Sequence, residues 1–186
     1  MIELIRKQIL GVKKKRIIEF GTGYYEPFHS DISVNNDLTL TDINEVRGRP
    51  KDIKCNIIIA DACETGFEES CFDVAFSSML IPYVDLGRHF REVERILKPK
   101  GVYWFACTGP KHNLEIQEPS LQRLNTNPEN VVKLGARIIR EELYKERYSR
   151  ESLALYYKKI GIDNESYGNV INIDITKNYL LFELHR

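Results

Sequence analysis

Five short runs of β-branched and aromatic residues recur along the first half of the chain, separated by loops or by stretches of helical spacing. They are Arg16–Phe20 (RIIEF), 38–41, 56–60 (NIIIA), 72–76 and 102–106 (VYWFA). Four of them stop at residues suited to a ligand edge: Gly21-Thr22-Gly23, Asp42, Asp61-Ala62 and Ser77-Ser78. Continuous apolar runs mark strands buried on both faces, and their alternation with helices is the pattern of βαβ units in a parallel sheet. The pattern predicts a doubly wound α/β domain, in which ligands bind beyond the carboxyl ends of the strands.

The clearest helix lies between the fourth and fifth runs. Asp85 is placed to cap it, Leu86, Phe90, Val93 and Leu97 form one apolar stripe, and Lys98-Pro99-Lys100-Gly101 stops it. An amphipathic helix with Ile2, Ile5 and Ile9 on one side precedes the first strand. The segment 107–149 opens on Gly109, Pro110, Pro119 and Pro128 and is expected to form a cap inserted into a single domain spanning 1–186. Within it Asn127 caps a helix with Pro128 at its first position and Val131, Leu134, Ile138 and Leu143 along it. A further helix is expected from about Arg150, with Leu153, Tyr156, Tyr157 and Ile160 on one face. Two alternating segments, 170–175 and 179–184, flank Thr176-Lys177-Asn178 and predict a closing hairpin. The sheet then has seven strands, mostly parallel, with the last one antiparallel.

Composition bears on partners. Apolar residues make up 42% of the chain and charged residues 29%, which is globular, and the 27 acidic and 27 basic residues leave no field toward nucleic acid or anionic lipid. No apolar run approaches the roughly 20 residues of a membrane-spanning helix. In the opening MIELIRKQILGVKKKR the charges follow the apolar residues, the reverse of a secretory signal. A cytoplasmic protein without a membrane partner is expected. Cys55, Cys63, Cys71 and Cys107 form no CxxC pair and read as reduced thiols, with no metal site.

The strand ends carry the chemistry. Gly21 and Gly23 let the backbone turn tightly against a ligand. Asp42 follows Gly23 by nineteen residues, near the spacing at which a carboxylate reaches a ribose diol. Asp61 and Ala62 offer a carboxylate and an N–H to an adenine edge, and Ser77 and Ser78 lie beside the reactive end. A dinucleotide fingerprint requires a third glycine where this chain has Glu26, because a diphosphate needs the helix close. Glu26 argues against a dinucleotide.

The stretch from 60 to 105, with Asp61-Ala62, Phe72-Asp73-Val74, the helix through Glu92 to Leu97 and its KPKG exit, resembles the class I S-adenosylmethionine-dependent methyltransferases of the small-molecule group. EFGTG at 19–23 and Thr41-Asp42 extend the resemblance to about three-quarters of the chain. It implies a Rossmann-like fold, S-adenosylmethionine as cofactor and S-adenosylhomocysteine as product. By the same resemblance Gly21 and Gly23 face the methionine portion, Glu19 organises its amino-acid end, Asp42 binds the ribose, and Asp61 with Ala62 binds the adenine. Asp73 is structural.

Three departures from the family pattern stand out. Leu38 follows Gly23 by fifteen residues with Pro27 between them, so the first helix is short. Gly48 and Pro50 leave little room for the second. Pro82-Tyr83 stands where the family often has histidines. A trimmed face of this kind is covered by the N-terminal helix or by a second subunit, as in a homodimer. A base is sought elsewhere: His112 follows the fifth strand and is the candidate catalytic residue, and His29 lies in the shortened first connection. His89 and His185 read as surface residues. Tyr24 or Tyr25 is placed to cover the ligand, with core packing as the alternative. Tyr144 and Tyr148 fit an aromatic pocket under the cap, whereas Tyr156 and Tyr157 fit ordinary core. Lys13 to Arg16 reads as a solvated run.

These features predict methyl transfer to an oxygen or nitrogen of a small molecule. A non-catalytic cofactor-binding scaffold, and methylation of RNA or protein, are the alternatives. The absence of an Asn-Pro-Pro-Tyr motif after the fourth strand disfavours a flipped base.

Overall fold

The computed structural model describes residues 2–48, 54–109, 113–114, 127–149 and 172–186. Its strands are β1 (Arg16–Phe20), β2 (Asp37–Asp42), β3 (Asn56–Ile59), β4 (Phe72–Ser78), β5 (Leu97–Thr108), β6 (Asn113–Leu114), β7 (Arg137–Ser149) and β8 (Asn172–His185). The sheet runs β3-β2-β1-β4-β5-β8-β6, with β7 also paired to β8. β1 to β5 are mutually parallel, and β8 is antiparallel to β5, β6 and β7. Seven strands have four or more residues, and β6 adds a two-residue pairing. The strand order reverses at β1, which sits between β2 and β4, and a ligand crevice opens at that point.

Helices cover both faces. On one, α1 (Ile2–Ile9) and α2 (Pro27–Ser33) bury Leu4, Ile5, Ile9, Phe28 and Ile32 against Ile17, Leu40, Phe76 and Leu181. On the other, α3 (Leu86–Ile96) and the short α4 (Pro128–Lys133) bury Phe90, Val93, Ile96 and Val131 against Ile18, Phe20, Phe105 and Phe182. The neighbouring residues Ile17 and Ile18 enter opposite cores, as the two-residue period of a strand requires. Phe105 and Phe182 are register partners whose rings stack 5.0 Å apart. α2 has seven residues, as the short first connection predicts, and α1 lies over the same face.

Asp85 caps α3 by accepting from the Arg88 N–H at 2.9 Å. The helix runs directly into β5, where the four residues from Lys98 to Gly101 stand opposite Asp73 alone. Asp73 accepts from the Arg16 N–H at 3.0 Å and from Lys98 Nζ at 2.9 Å, so it ties together the starts of three strands, at the end of the sheet away from the crevice.

Three expectations are corrected. The predicted hairpin at 170–184 is one uninterrupted strand, β8, and its long antiparallel partner is β7. Thr176-Lys177-Asn178 has turn chemistry, but Asn178 is buried and its Nδ2 donates to Glu141 Oε1 at 2.9 Å across the ladder. Pairing along β7 therefore overrides the local preference. The helix with Val131 and Leu134 stops at Lys133, Gly135 turns the chain with φ 95°, and Ile138 and Leu143 lie on β7. His89 is fully buried rather than on the surface. Of the segment read as a cap, 137–149 joins the sheet, and 110–112 and 115–126 lie outside the described residues, as does the helix expected from Arg150.

If α1 is integral to the core, Ile5→Ala lowers the unfolding free energy by about 2–5 kcal/mol with an unchanged denaturant slope. Urea titration followed by circular dichroism checks this; no shift of the midpoint shows α1 to be dispensable.

Candidate functional site

The carboxyl ends of β1, β2, β3 and β4 open onto one cleft of about 320 Å³. Gly21, Asp42, Asp61 and Ala62 line it, together with Leu80, Tyr83, Asp85 and Arg88. Gly21 has φ 68° and Gly23 φ 56°, a region where a Cβ is strained. A Cβ on Gly21 would also stand 2.9 Å from Leu80 Cδ1.

Asp42 joins the loops that follow β1 and β2. Its Oδ2 accepts from the Gly23 N–H and its Oδ1 from the Asn44 N–H, each at 2.9 Å. The loops pair further through Arg47 N–H to Gly23 O at 3.0 Å and Tyr25 N–H to Arg47 O at 2.7 Å. Each Asp42 oxygen keeps a lone pair that the backbone does not use. Below the glycine turn, Glu19 is buried; its Oε2 accepts from Thr22 Oγ1 at 3.0 Å and lies 2.8 Å from His29 Nε2. The ring nitrogen is close enough to form an ion pair but lacks hydrogen-bond alignment. Glu19 thus supports the turn from inside the fold rather than lining the cleft.

At the other end, Asp61 Oδ1 accepts from the Cys63 N–H at 2.7 Å, and Glu64 N–H donates to Asp61 O at 3.0 Å. Asp61 Oδ2 and the Ala62 N–H have no hydrogen-bond partner among the described residues. A free carboxylate oxygen beside a free amide N–H is a donor–acceptor pair of the kind an adenine edge requires.

Other expected residues fall elsewhere. Ser77 is corrected: it is fully buried, with Oγ 2.6 Å from Tyr103 Oη, beneath the floor and not beside the ligand. Ser78 is half-buried at the end of β4 and outside the cleft lining. Tyr24 is exposed, and a Cβ on Gly48 would meet its ring, so it packs over the loop after β2 rather than over the cleft. His112, Tyr156 and Tyr157 lie outside the described residues. His29 is buried against Glu19. Sequence reasoning missed Leu80, Tyr83, Asp85 and Arg88 as lining residues. Asp85 had a cap role that masked a second one, and Tyr83 was legible only as a missing histidine.

Among the described residues no group of three histidine, cysteine or acidic side chains is placed to hold a metal. Burial, with Asp61 nearby, raises the pKa of the Cys63 thiol at the cleft wall and keeps it protonated. The described lining contributes shape, carboxylates and backbone donors.

Residues 21–105 match the family model described as a methyltransferase domain. A stretch of 51 residues is 37% identical to the sterol 4-C-methyltransferase strm-1 of Caenorhabditis elegans, covering 27% of this chain and 15% of that relative. The YcgJ protein of Bacillus subtilis superposes with a TM-score of 0.68 at 13% identity, covering 100% of this chain and 97% of that one. The phosphoethanolamine N-methyltransferase 2 of Haemonchus contortus, in complex with phosphomonomethylethanolamine and S-adenosylhomocysteine, gives 0.61 at 20% identity. This chain covers 52% of it, and it covers 98% of this chain. The family match spans a little under half of the chain, and the fold of the whole is similar to that of solved methyltransferases.

α3 secures the loop after β3 through Glu92, whose Oε1 accepts from the Thr65 N–H at 2.8 Å and whose Oε2 accepts from Arg95 Nε at 2.8 Å. Burial alone raises the Glu92 pKa, but hydrogen bonds from Arg95 and Thr65 outweigh it and bring the carboxyl from 4.5 to about 2. Because the folded group titrates below the unfolded one, its stabilisation is complete above pH 4.5 and is lost as pH falls toward 2. Glu92→Gln is therefore less stable at neutral pH and has a flatter stability profile across that window. Urea midpoints measured against pH test this; parallel profiles for the two proteins contradict it.

Proposed function

We propose that the chain binds S-adenosylmethionine in this cleft and transfers its methyl group to an oxygen or nitrogen of a small molecule. The observation that carries the reading is the unspent polar set at the strand ends. Asp42 has lone pairs free for the two ribose hydroxyls. Asp61 Oδ2 and the Ala62 N–H suit the amino group and ring nitrogen of adenine. Gly21 and Gly23, both at positive φ, form the turn against which the methionine chain would lie. The lining holds Asp42, Asp61 and Asp85 against Arg88 alone among charged side chains, a balance that suits a cation.

When bound, the cofactor supplies a methyl group on a sulfonium, which is already a good leaving group. The residues of the chain therefore need only hold the acceptor in line and exclude water, and positioning of this kind accounts for much of a barrier reduction. Leu80 and Tyr83 provide an apolar wall where the acceptor approaches. His112 is the residue proposed to take the acceptor proton. The sterol and phosphoethanolamine enzymes among the relatives act on small molecules by their names, which supports the same class here. No helix among the described residues is long and apolar enough to cross a membrane.

Asp42→Ala is expected to weaken S-adenosylhomocysteine binding by tenfold or more, on the order of one lost charged hydrogen-bond partner. It should also lower methyl transfer from labelled S-adenosylmethionine to any accepted small molecule. Titration calorimetry beside a thermal melt measures this. Unchanged affinity in a folded variant removes Asp42 from the site.

A further inference from the structure

α3 grips the loop after β3 with one face. Residues 85, 88, 89 and 92 follow the i, i+3, i+4, i+7 spacing of a helix stripe, and they contact four consecutive loop residues. Cys63 Sγ donates to Asp85 O at 3.8 Å, and Arg88 Nη2 donates to Glu64 Oε2 at 3.4 Å. His89 Nδ1 donates to Ala62 O at 2.8 Å, and Glu92 accepts from Thr65. The Cys63 and Arg88 contacts are exposed, and the Glu92 contact ends on the helix. The His89 contact belongs instead to a chain that continues into the core.

His89 Nε2 lies 2.9 Å from Tyr103 Oη, which lies 2.6 Å from Ser77 Oγ, and all three residues are fully buried. The hydrogen positions follow from the ends of the chain. Ala62 O is a carbonyl and only accepts, so His89 carries its proton on Nδ1. Burial lowers the His89 pKa and keeps the ring neutral. Nε2 is then an acceptor, Tyr103 donates to it, and Ser77 donates to Tyr103. Phe20, Phe90 and Tyr103 stand edge-on or tilted against the imidazole, with Phe20 5.1 Å away, and hold its plane. A buried polar chain is costly unless every member is paired, and here each one is. An apolar side chain would serve this helix position for packing alone; His89 additionally ties the helix to the Ala62 carbonyl.

We propose that His89 is a positioning residue: its Nδ1–H fixes the Ala62 carbonyl and so sets the Asp61-Ala62 turn in the shape that distinguishes adenine from other purines. The inference rests on the cofactor reading above and deepens it. With Ala62 O held from below, the Ala62 N–H and Asp61 Oδ2 are left presented together on the ligand side. Asp61 then accepts from the adenine amino group and repels a carbonyl oxygen at the same position.

The test compares S-adenosylhomocysteine with S-inosylhomocysteine, in which that amino group is a carbonyl, across three forms of the full chain. The wild type favours the adenosyl ligand by tenfold or more. His89→Asn returns an amide N–H to the Nδ1 position and keeps most of this preference. His89→Gln places its amide at the Nε2 position, reaches Tyr103 but not Ala62, weakens adenosyl binding about tenfold and brings the two ligands close to parity. Equal discrimination in all three folded proteins overturns the inference, and so does an equal loss in both variants, which is what a packing role produces. Wild-type protein that binds neither ligand overturns the cofactor reading and the inference together. A measurement independent of folding of the variants is the two-bond proton–nitrogen spectrum of labelled wild-type histidine. The Nδ1–H tautomer of His89 is expected there, and an Nε2–H tautomer contradicts the arrangement.

Discussion

The cleft depends on β1 being bonded along both edges and buried on both faces. Its left neighbour β2 and right neighbour β4 are both parallel to it, so the loops leaving β1 and β2 diverge from those leaving β4 and β5. A crevice is the necessary result. Ile17 and Ile18 lock the strand between the two cores, and the carboxyl end of β1 then presents Gly21 at a fixed height. Bonds within the end layer carry this order outward: Thr41 Oγ1 to Glu19 O at 2.7 Å, Thr22 N–H to Thr41 O at 3.0 Å, and Ala60 N–H to Asp42 O at 2.9 Å. Three strand ends therefore form one rigid rim.

From that rim the site is assembled by two kinds of support. At the end of β2, backbone amides hold the Asp42 carboxylate, and the side chain in turn pins the glycine turn. At the end of β3, a helix does the holding, through the stripe that includes His89 and Glu92. Residues that shape a site from behind decide its tolerance as much as those that touch the ligand, because a misplacement of about 1 Å forfeits much of the binding or catalytic gain. The buried Ser77–Tyr103–His89 chain belongs to this second group, and so does Glu19 beneath the glycine turn.

Much of this was legible in the residues, and the limits are physical. The first five strands show as apolar runs because both faces of a parallel sheet are buried, and Asp42 and Asp61 show because they end such runs. Asp85 and the stripe on α3 show through local capping and period. β7 and β8 were misread because their pairing joins positions far apart in sequence, and the local signals, a proline-capped helix and a turn-like Thr-Lys-Asn, pointed elsewhere. Gly135 was the available sign that the α4 helix stops early. Ser77 looked like a strand-end ligand, yet it is buried because Tyr103 on β5 reaches it. His89 looked exposed on a helical wheel, since no wheel records that a loop lies across that face.

The cleft at the strand ends is proposed to suit S-adenosylmethionine rather than a dinucleotide. Titration calorimetry of the wild-type chain with S-adenosylhomocysteine, and with NADH as a control, tests it most directly. Micromolar binding of the first and none of the second is expected. Binding of NADH, or heat from neither ligand, contradicts it.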